Sequence, residues 1–228
     1  PLAVIFASCG AVAFVVGHFV RREKELAIAS AREPTTKESL VVVALAYLVA
    51  ALMGSIPFLS AGSFADAFFE AMSGITTTGF SVFEPSKLPR SLVFFRSYLQ
   101  WIGGVGIVIL SLMVLIGPGR NAYRLYASEY GEENLAGNVA RTARIVAIMY
   151  LILTTIGFGL YASTGFGLLD SLFHVMSTVS TGGFSSRSES LAYLDSSAAS
   201  IAAGVLMVAG AVCFPAYYAL GKGDFAAF

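Results

Sequence analysis

The chain has 228 residues, of which 57% are hydrophobic and only 12% are charged. Soluble domains contain about 25% charged residues, so this composition excludes an ordinary water-soluble fold and indicates an integral membrane protein. The formal net charge is zero, which argues against a nucleic-acid partner because such partners select a basic face. Cys9 and Cys213 lie in apolar runs without a CxxC neighbour, so neither zinc nor redox chemistry is indicated.

Five apolar segments have the length of a membrane span. About 20 helical residues cross a hydrocarbon core of ~30 Å, and segments of this kind cover residues 2–20, 40–59, 92–116, 145–162 and 198–220. We therefore expect an all-α, multi-pass integral membrane protein whose helices contact the lipid bilayer.

Two shorter helical patterns lie between these spans, at residues 63–75 and 168–179, and each is too short to cross. Ser63 and Asp66 form the pattern of a capping box, which predicts where the first short helix begins. Irregular backbone after a short helix is tolerated at membrane depth only where protein buries it or where it lines a water-filled cavity. Both segments are therefore predicted to be re-entrant.

The short helices and the loops that follow them form an internal repeat. Residues 66–81 and 170–185, related by an offset of 104, are identical at 8 of 16 positions, and the identities cluster toward the loops. We call residues 76–80 the first loop and residues 180–184 the second loop. The repeat predicts two helix–re-entrant loop–helix units preceded by one transmembrane helix.

These units divide the chain into five predicted parts. A transmembrane helix and a basic loop come first, then the first unit, a linker, the second unit and a tail; the corresponding residues are 1–38, 39–118, 119–144, 145–221 and 222–228.

Basic residues predict the orientation of the chain. If the spans alternate in direction, ten of the 14 lysines and arginines lie on one side, in the loops after the first and third spans and in the tail. Cytoplasmic loops contain the excess of basic residues. We therefore expect these loops in the cytoplasm, both re-entrant loops on the outer face, and a location in the cell (plasma or inner) membrane.

The two loops have a composition that suits an alkali cation. Carbonyl oxygens of converging loops can replace the hydration shell of such an ion, and hard cations prefer oxygen ligands. Glycine permits the backbone angles that turn successive carbonyls the same way, and threonine hydroxyls can add further oxygens. The short helices should end just before the loops, so that their carboxyl ends direct partial negative charge into the cavity beyond.

The motifs "TTTGFS" and "STGGFS", each behind a short amphipathic helix, resemble the filters of the Trk/Ktr/HKT potassium transporter superfamily. The stretch "YLQWIGGVGIVIL" at residues 98–110 is similar to the helix after the first filter in Trk-type members. The resemblance covers about residues 36–220 and implies a potassium-channel-like fold with four such units around one pore. It implies that K+ binds to backbone carbonyls of a selectivity filter that includes Thr76, Thr77, Thr78, Gly79, Phe80, Ser180, Thr181, Gly182, Gly183 and Phe184.

The resemblance implies further properties of the protein. It implies potassium uptake without a cofactor on this chain, a homodimer, and a cytoplasmic nucleotide-binding regulatory subunit that docks on the inner face, where residues 117–144 are the expected contact. Sodium-permeable members often have serine at the first filter's glycine position, so Gly79 favours potassium. The first span would be the end of an additional amino-terminal hairpin.

Several alternatives stay open at the level of sequence. Only two of four units are present, so either the rest lies outside this sequence or two halves assemble. The fold would also suit a sodium-permeable or mixed cation transporter, or a non-conducting assembly partner. An enzyme is not expected: "GKGDF" at residues 221–225 fits the GxGD pattern of intramembrane aspartyl proteases, but none of the other three aspartates lies mid-span to complete a carboxylate pair.

Polar residues around the loops are candidates for supporting roles. Arg96 and Gln100 lie near the outer end of the third span, where Arg96 can extend to the membrane interface or where the pair can support the filter. Glycines in "GGVG" at residues 103–106 are expected to let helices approach closely. Glutamates after the loops are either solvated or attract cations to the mouth. Four polar residues on the short helices are expected to cap helices and hold the loops by hydrogen bonds: Asp66, Glu70, Asp170 and His174.

Overall fold

A computed structural model describes residues 36–115, 135–190 and 196–211, together with Ala7, Gly10, Phe14 and His18. Most of the predicted first span, the end of the fifth span after residue 211 and most of the predicted linker therefore lie outside the described residues. The described part of the chain is helical and contains no strand, which confirms the all-α prediction.

The helices follow the predicted order, with a short helix between two longer ones in each half. The α-helices are α1 (Thr36–Ser55), α2 (Phe64–Ile75), α3 (Arg90–Leu115), α4 (Leu135–Ser163), α5 (Leu168–Val179) and α6 (Ser197–Ala211). Two 3-10 helices, Ile56–Ser60 and Pro85–Lys87, follow α1 and precede α3. We call α1 to α3 with the first loop the first unit, and α4 to α6 with the second loop the second unit.

Both short helices have 12 residues, as the sequence patterns predict. The capping box is present at the start of α2, where the Ser63 hydroxyl accepts from the Asp66 N–H and the Asp66 carboxylate accepts from the Ser63 N–H, both at 3.2 Å. Such a cap satisfies donors that would otherwise lack partners in the first helical turn. Both helices end immediately before their loops, at Ile75 and Val179.

The packing of the helices repeats between the two units. A Cβ atom added to Gly54 of α1 would lie 3.5 Å from the side chains of Ala71 and Leu99. In the second unit, Gly157 of α4 faces Val175 and Leu206 in the same way, at 2.6 and 2.9 Å. Close helix approach therefore depends on matched small residues in both halves.

The helix after each loop touches the end of the short helix before that loop. Gly103 of α3 lies against the Ile75 carbonyl, and a Cβ on Gly210 of α6 would lie 2.6 Å from the Val179 carbonyl oxygen. Gly104, beside Gly103, approaches Ser180 of the second unit, where an added Cβ would lie 2.8 Å from the serine Cβ. These contacts confirm that this glycine-rich stretch permits close packing, and they show that α3 of the first unit packs against the second unit.

Large apolar side chains cover the outer surface of the long helices. On α4 they recur every four residues, at Ile148, Ile152, Ile156 and Leu160, all of them exposed. Among the described residues, two helical segments have the length and mean hydropathy of a span, Leu40–Ser60 and Arg144–Ser163, and only 28% and 22% of their spanning windows are buried. Continuous exposed apolar faces of this size suit a lipid environment.

Candidate functional site

The two loops have the same unusual backbone conformation. Thr77 and Thr181 adopt positive φ angles of 55° and 54°, and two residues later Gly79 and Gly183 have φ angles of 81° and 83°. Positive φ is rare for a threonine, so its recurrence at matched positions shows that the repeat extends to the backbone. Thr78 and Gly182, which lie between these positions, do not have positive φ. The sign of φ therefore alternates along each loop, whereas it stays negative along an ordinary strand.

The N–H groups of the first loop point back toward α2. Residues 77–79 donate three successive backbone hydrogen bonds to carbonyls in the last turn of α2, at distances between 2.9 and 3.4 Å. In a trans peptide, each C=O points opposite to the N–H of the following residue, and the described residues contain no cis peptide. The carbonyl groups of residues 76–78 are therefore directed away from α2.

The second loop repeats this arrangement, with one difference. Thr181 and Gly182 donate to carbonyls in the last turn of α5 at 3.0 and 2.8 Å, so the carbonyls of Ser180 and Thr181 are directed away from α5. The Gly182 carbonyl, however, accepts a hydrogen bond from the Gln100 Nε2 at 2.7 Å. One carbonyl of the second loop thus has a side-chain partner on α3.

The loops meet at Gly79 and Gly182. A Cβ atom on Gly79 would overlap the Gly182 carbonyl oxygen, so glycine is required there both by the contact and by the positive φ. Gly183 has the same φ, but within the described residues no atom lies within 4 Å of the position of its Cβ. The structure therefore brings the two predicted filter segments side by side.

Glu70 on α2 holds the chain that leaves the first loop. Its carboxylate accepts from the Ser81 hydroxyl at 2.9 and 3.1 Å and from the Val82 N–H at 3.1 Å. The Arg96 Nε lies 2.8 Å from the Glu70 Oε1, although its N–H is not aimed for a hydrogen bond. Glu70 is fully buried, so its charge is compensated by Arg96 and is not presented to solvent.

Arg96 and Gln100 connect the first unit to the second loop. The Arg96 guanidinium carbon lies 4.2 Å from the centre of the Phe184 ring, a cation–π contact. One turn later, the Gln100 Oε1 accepts from the Ser177 hydroxyl at 2.8 Å and from the Phe184 N–H at 3.2 Å. Arg96 is 2% exposed and Gln100 is fully buried. Protein therefore encloses the Arg96 side chain, and the pair packs against the second loop.

The two loop phenylalanines show the effect of this cover. Phe184 is 4% exposed beneath α3, whereas Phe80 at the matching position is 70% exposed. Within the described residues, the first loop has no counterpart of Arg96 and Gln100 above it. The two loops therefore share a backbone but differ in their surroundings.

His174 on α5 takes the position that Glu70 has on α2. Its Nδ1 lies 2.8 Å from the Asp170 carbonyl oxygen and its Nε2 lies 3.1 Å from the Ser185 hydroxyl. A carbonyl can only accept, so the neutral ring donates from Nδ1, and the Ser185 hydroxyl donates to Nε2. Both units thus use a side chain of the short helix to hold the serine after the loop.

The hydroxyls of the loops make hydrogen bonds near the helix ends. Thr76 donates to the Met72 carbonyl at 2.7 Å and shares a 2.8 Å hydrogen bond with Thr78. Ser180 donates to the Ser177 carbonyl at 3.0 Å. The hydroxyls therefore reinforce the junction between helix and loop, and the carbonyl groups remain the principal oxygens directed outward.

The charged residues between the first loop and α3 are exposed, unlike the buried pair of Glu70 and Arg96. Glu84 pairs with Lys87 at 2.6 Å and accepts from the Ser86 hydroxyl at 2.8 Å. Hydrogen bonds from Lys87 and then Ser86 hold the pKa of Glu84 below its ordinary value.

In the described part of the chain, no group of three or more histidine, cysteine, aspartate or glutamate side chains could hold a metal ion.

Sequence patterns identified the loops but left the role of α3 open. The signal for it was a pair of polar residues, Arg96 and Gln100, four positions apart in an apolar span. Such a pair lies on one face of a helix. What the pattern could not indicate is that this face contacts the loop of the other unit.

Comparison with known proteins places these features in a family. The TrkH family, described as "Cation transport protein", matches residues 9–220. An uncharacterized cation transporter of Methanocaldococcus jannaschii is 38% identical over 191 residues, which cover 82% of this chain and 40% of that protein. The Trk system potassium uptake protein TrkH of Halomonas elongata is 33% identical over 196 residues, with coverage of 82% and 41%. The chain thus spans about two fifths of the length of these relatives.

A solved structure has the same fold. The crystal structure of the potassium transporter TrkH from Vibrio parahaemolyticus matches with a TM-score of 0.70 and 32% sequence identity, covering 85% of this chain and 39% of that chain. The repeated units, the lipid-facing helices and these matches lead to one conclusion. This chain belongs to the TrkH family of membrane-embedded cation transport proteins.

Proposed function

We propose that the chain takes part in potassium uptake across the cell membrane and that its two loops form two of four segments of a selectivity filter. The observation that carries this proposal is the side-by-side arrangement of two loops with matched φ angles at Thr77 and Thr181 and at Gly79 and Gly183. The remaining two segments would come from parts of the protein outside this chain or from another copy. Relatives named as potassium uptake proteins favour K+ as the transported ion.

The geometry supports a path made of backbone oxygens. A K+ ion would shed water at the outer mouth and bind carbonyl groups directed away from the short helices, those of residues 76–78 and of residues 180 and 181. The carboxyl ends of α2 and α5 would stabilise the ion beyond the loops through their partial negative charge. Inward movement of one charge gains about 2.3 kcal/mol per 100 mV of membrane potential, which can drive uptake.

The charges near the loops favour this reading over direct binding by a carboxylate. Glu70 is fully buried and its oxygens are occupied by Arg96, Ser81 and Val82. Because the Arg96 charge compensates the Glu70 charge, the pair attracts a cation in the pathway only weakly. The dipoles of the loops and of the short helices would therefore determine the affinity, which suits an ion that must bind and leave quickly.

Substitution of Gly79 by alanine tests the proposal. A Cβ atom would overlap the Gly182 carbonyl oxygen, and φ at Gly79 is +81°, a conformation that costs a side-chain residue about 1–2 kcal/mol. The segments must separate, so we expect loss of potassium uptake by the full-length protein from the reading frame that contains this chain. Uptake is measured as flux into cells that lack other potassium uptake systems.

Gly159→Ala is the matched control, because Gly159 lies in α4 and no atom of the described part of the chain is within 4 Å of its Cβ position. This variant should transport as the unchanged protein does. Normal potassium uptake and normal selectivity in Gly79→Ala would contradict the filter assignment. A Gly79→Ser variant that gains sodium flux would show that this position favours potassium, whereas sodium flux in the unchanged protein would favour a mixed cation transporter.

We further propose that the protein forms a homodimer and docks a cytoplasmic nucleotide-binding regulatory subunit. The expected contact is residues 117–144, and only residues 135–144 of that segment, the start of α4, are among those described. Support comes from its basic and aromatic content, with Arg120, Arg124 and Arg141 on the predicted cytoplasmic side. Scrambling residues 117–134 should abolish nucleotide-dependent regulation and leave basal uptake; unchanged regulation would contradict this contact.

A further inference from the structure

The two loops differ at their third position, which is Thr78 in the first loop and Gly182 in the second. Glycine is required at position 182 by a contact and not by a positive φ angle. A Cβ on Gly182 would collide with the amide group of Gln100, lying 2.6 Å from both Nε2 and Oε1. The Gln100 amide therefore fills the space that the threonine side chain requires in the first loop.

Two adjacent glycines make the second loop intrinsically loose at this point. The peptide group between Gly182 and Gly183 has no Cβ on either side, so steric hindrance to its rotation is small. Its carbonyl belongs to Gly182 and accepts from the Gln100 Nε2 at 2.7 Å. In the first loop, the Cβ of Thr78 and the bond from the Gly79 N–H to α2 restrain the matching peptide group.

One side chain thus restrains both peptide groups of Gly183. The Nε2 of Gln100 binds the carbonyl before Gly183, and its Oε1 binds the N–H after it, on Phe184, at 3.2 Å. The Ser177 hydroxyl donates to the same oxygen at 2.8 Å. The Gly182 carbonyl can only accept and the Phe184 N–H can only donate, so these two groups fix which end of the amide faces which partner. Arg96 holds the Phe184 ring from one turn away.

This support is specific to the boundary between the two loops. Gly103 of α3 and Gly210 of α6 occupy equivalent places against the ends of the short helices. When α3 and α6 are aligned on these two glycines, Ala203 and Met207 of α6 correspond to Arg96 and Gln100 of α3. Neither has an amide or a guanidinium group, and Met207 is 45% exposed. The described part of α6 therefore provides no equivalent polar pair.

We propose that Gln100 is a positioning residue that fixes the Gly182 carbonyl and, through it, the ion selectivity of the second loop. The inference rests on the proposed potassium pathway. By holding this carbonyl against Gly79, Gln100 prevents the loosest peptide group of the loop from turning and changing the number of oxygens offered to an ion. Selectivity depends on the number and arrangement of such oxygens, so an untethered peptide reduces discrimination between K+ and Na+.

Gln100→Glu separates positioning from packing. The variant keeps the shape, and its ionised carboxylate can still accept from Ser177 and from the Phe184 N–H but cannot donate to the Gly182 carbonyl, whereas a protonated carboxyl group would donate. We expect the preference for K+ over Na+ to fall about tenfold, the factor that corresponds to one lost buried hydrogen bond. The assay is flux of K+ in competition with Na+ in vesicles that contain the full-length protein, normalised to the folded amount.

Ser97→Ala is the matched control, because Ser97 is buried on the same helix and its hydroxyl donates to the Val93 carbonyl of that helix. It should leave the ion preference unchanged. Gln100→Met provides a second variant, since it adds no charge and gives α3 the residue that α6 has at Met207. It should also lose preference for K+, and because methionine has no donor in any protonation state, a wild-type preference in folded Gln100→Met would overturn the proposal.

The contact itself is tested by exchanging the partners. Gly182→Thr alone should reduce the folded amount, because its Cβ collides with Gln100, and Gln100→Ala in the same chain should restore that amount without restoring the preference for K+. Tolerance of Gly182→Thr alone would overturn the proposal even if the other variants do not fold. Failure of the proposed function is a different result: Gly79→Ala would then transport normally, whatever the Gln100 variants do.

Discussion

Replacement of Glu70 by glutamine tests the buried ion pair between α2 and α3 of the first unit. The Nε–Oε1 distance of 2.8 Å to Arg96 corresponds to a Coulomb attraction of about 6 kcal/mol at an effective dielectric constant of 20. Most of this attraction offsets the desolvation of two buried groups. Removal of one partner leaves the other charge uncompensated, so Glu70→Gln should lower the free energy of unfolding by about 3–5 kcal/mol.

The glutamine side chain can still accept from Ser81 and Val82, so the loss should come mainly from Arg96. We therefore expect the double variant Glu70→Gln/Arg96→Met to be more stable than the sum of the two single changes predicts, with a coupling of about 1–3 kcal/mol. Thermal unfolding of the purified full-length protein in detergent measures the differences. Potassium flux should decrease in parallel, because a smaller fraction of the protein is folded.

Glu84→Gln provides the control, since Glu84 and Lys87 form an ion pair of similar length, 2.6 Å, on the exposed surface. Surface pairs contribute little, so this variant should melt at the temperature of the unchanged protein. Equal and small effects of Glu70→Gln and Glu84→Gln would refute the reasoning that burial makes the first pair important. Strict additivity of the Glu70 and Arg96 changes would refute their coupling.

Two further predictions concern the short helices. Ser63→Ala removes the capping box of α2 and should lower the free energy of unfolding by about 1 kcal/mol, with ion preference unchanged; an equal loss from Ser60→Ala, outside the box, would contradict this. Gly210→Ala places a Cβ 2.6 Å from the Val179 carbonyl oxygen, whereas Gly204→Ala on the same helix meets no atom of residues 36–115, 135–190 and 196–211 within 4 Å. Only the Gly210 variant should melt at a lower temperature and lose uptake, and equal melting of both would argue against the contact.

The sequence was sufficient to predict the helices around the loops. The bounds of α5 coincide with the predicted residues 168–179. The apolar pattern of helical period ends there, and the next four residues include Gly182 and Gly183, which disfavour a helix. The pattern of Ser63 and Asp66 predicted the first turn of α2, since capping is a local interaction within four residues. Local rules therefore determine these elements.

The contacts between the units could not be predicted in the same way. Gln100 and Gly182 are 82 positions apart, and no periodic pattern connects them. The repeat in α3 and α6 was also hidden, because Gly103 and Gly210 differ by 107 positions while the short helices differ by 104. Three additional residues between loop and helix shift the register, and only the shared contact with the helix end shows the match.

The central claim is that the main-chain oxygens of both loops face one ion path. Anomalous diffraction from crystals of the full-length protein soaked in Tl+, which substitutes for K+, tests it most directly. We expect ordered Tl+ peaks between the two loops, within coordination distance of the carbonyl oxygens of residues 76–78 and of residues 180 and 181, and we expect displacement by K+ to remove these peaks. Peaks located only at the surface, or loop carbonyls turned away from every peak, would contradict the account.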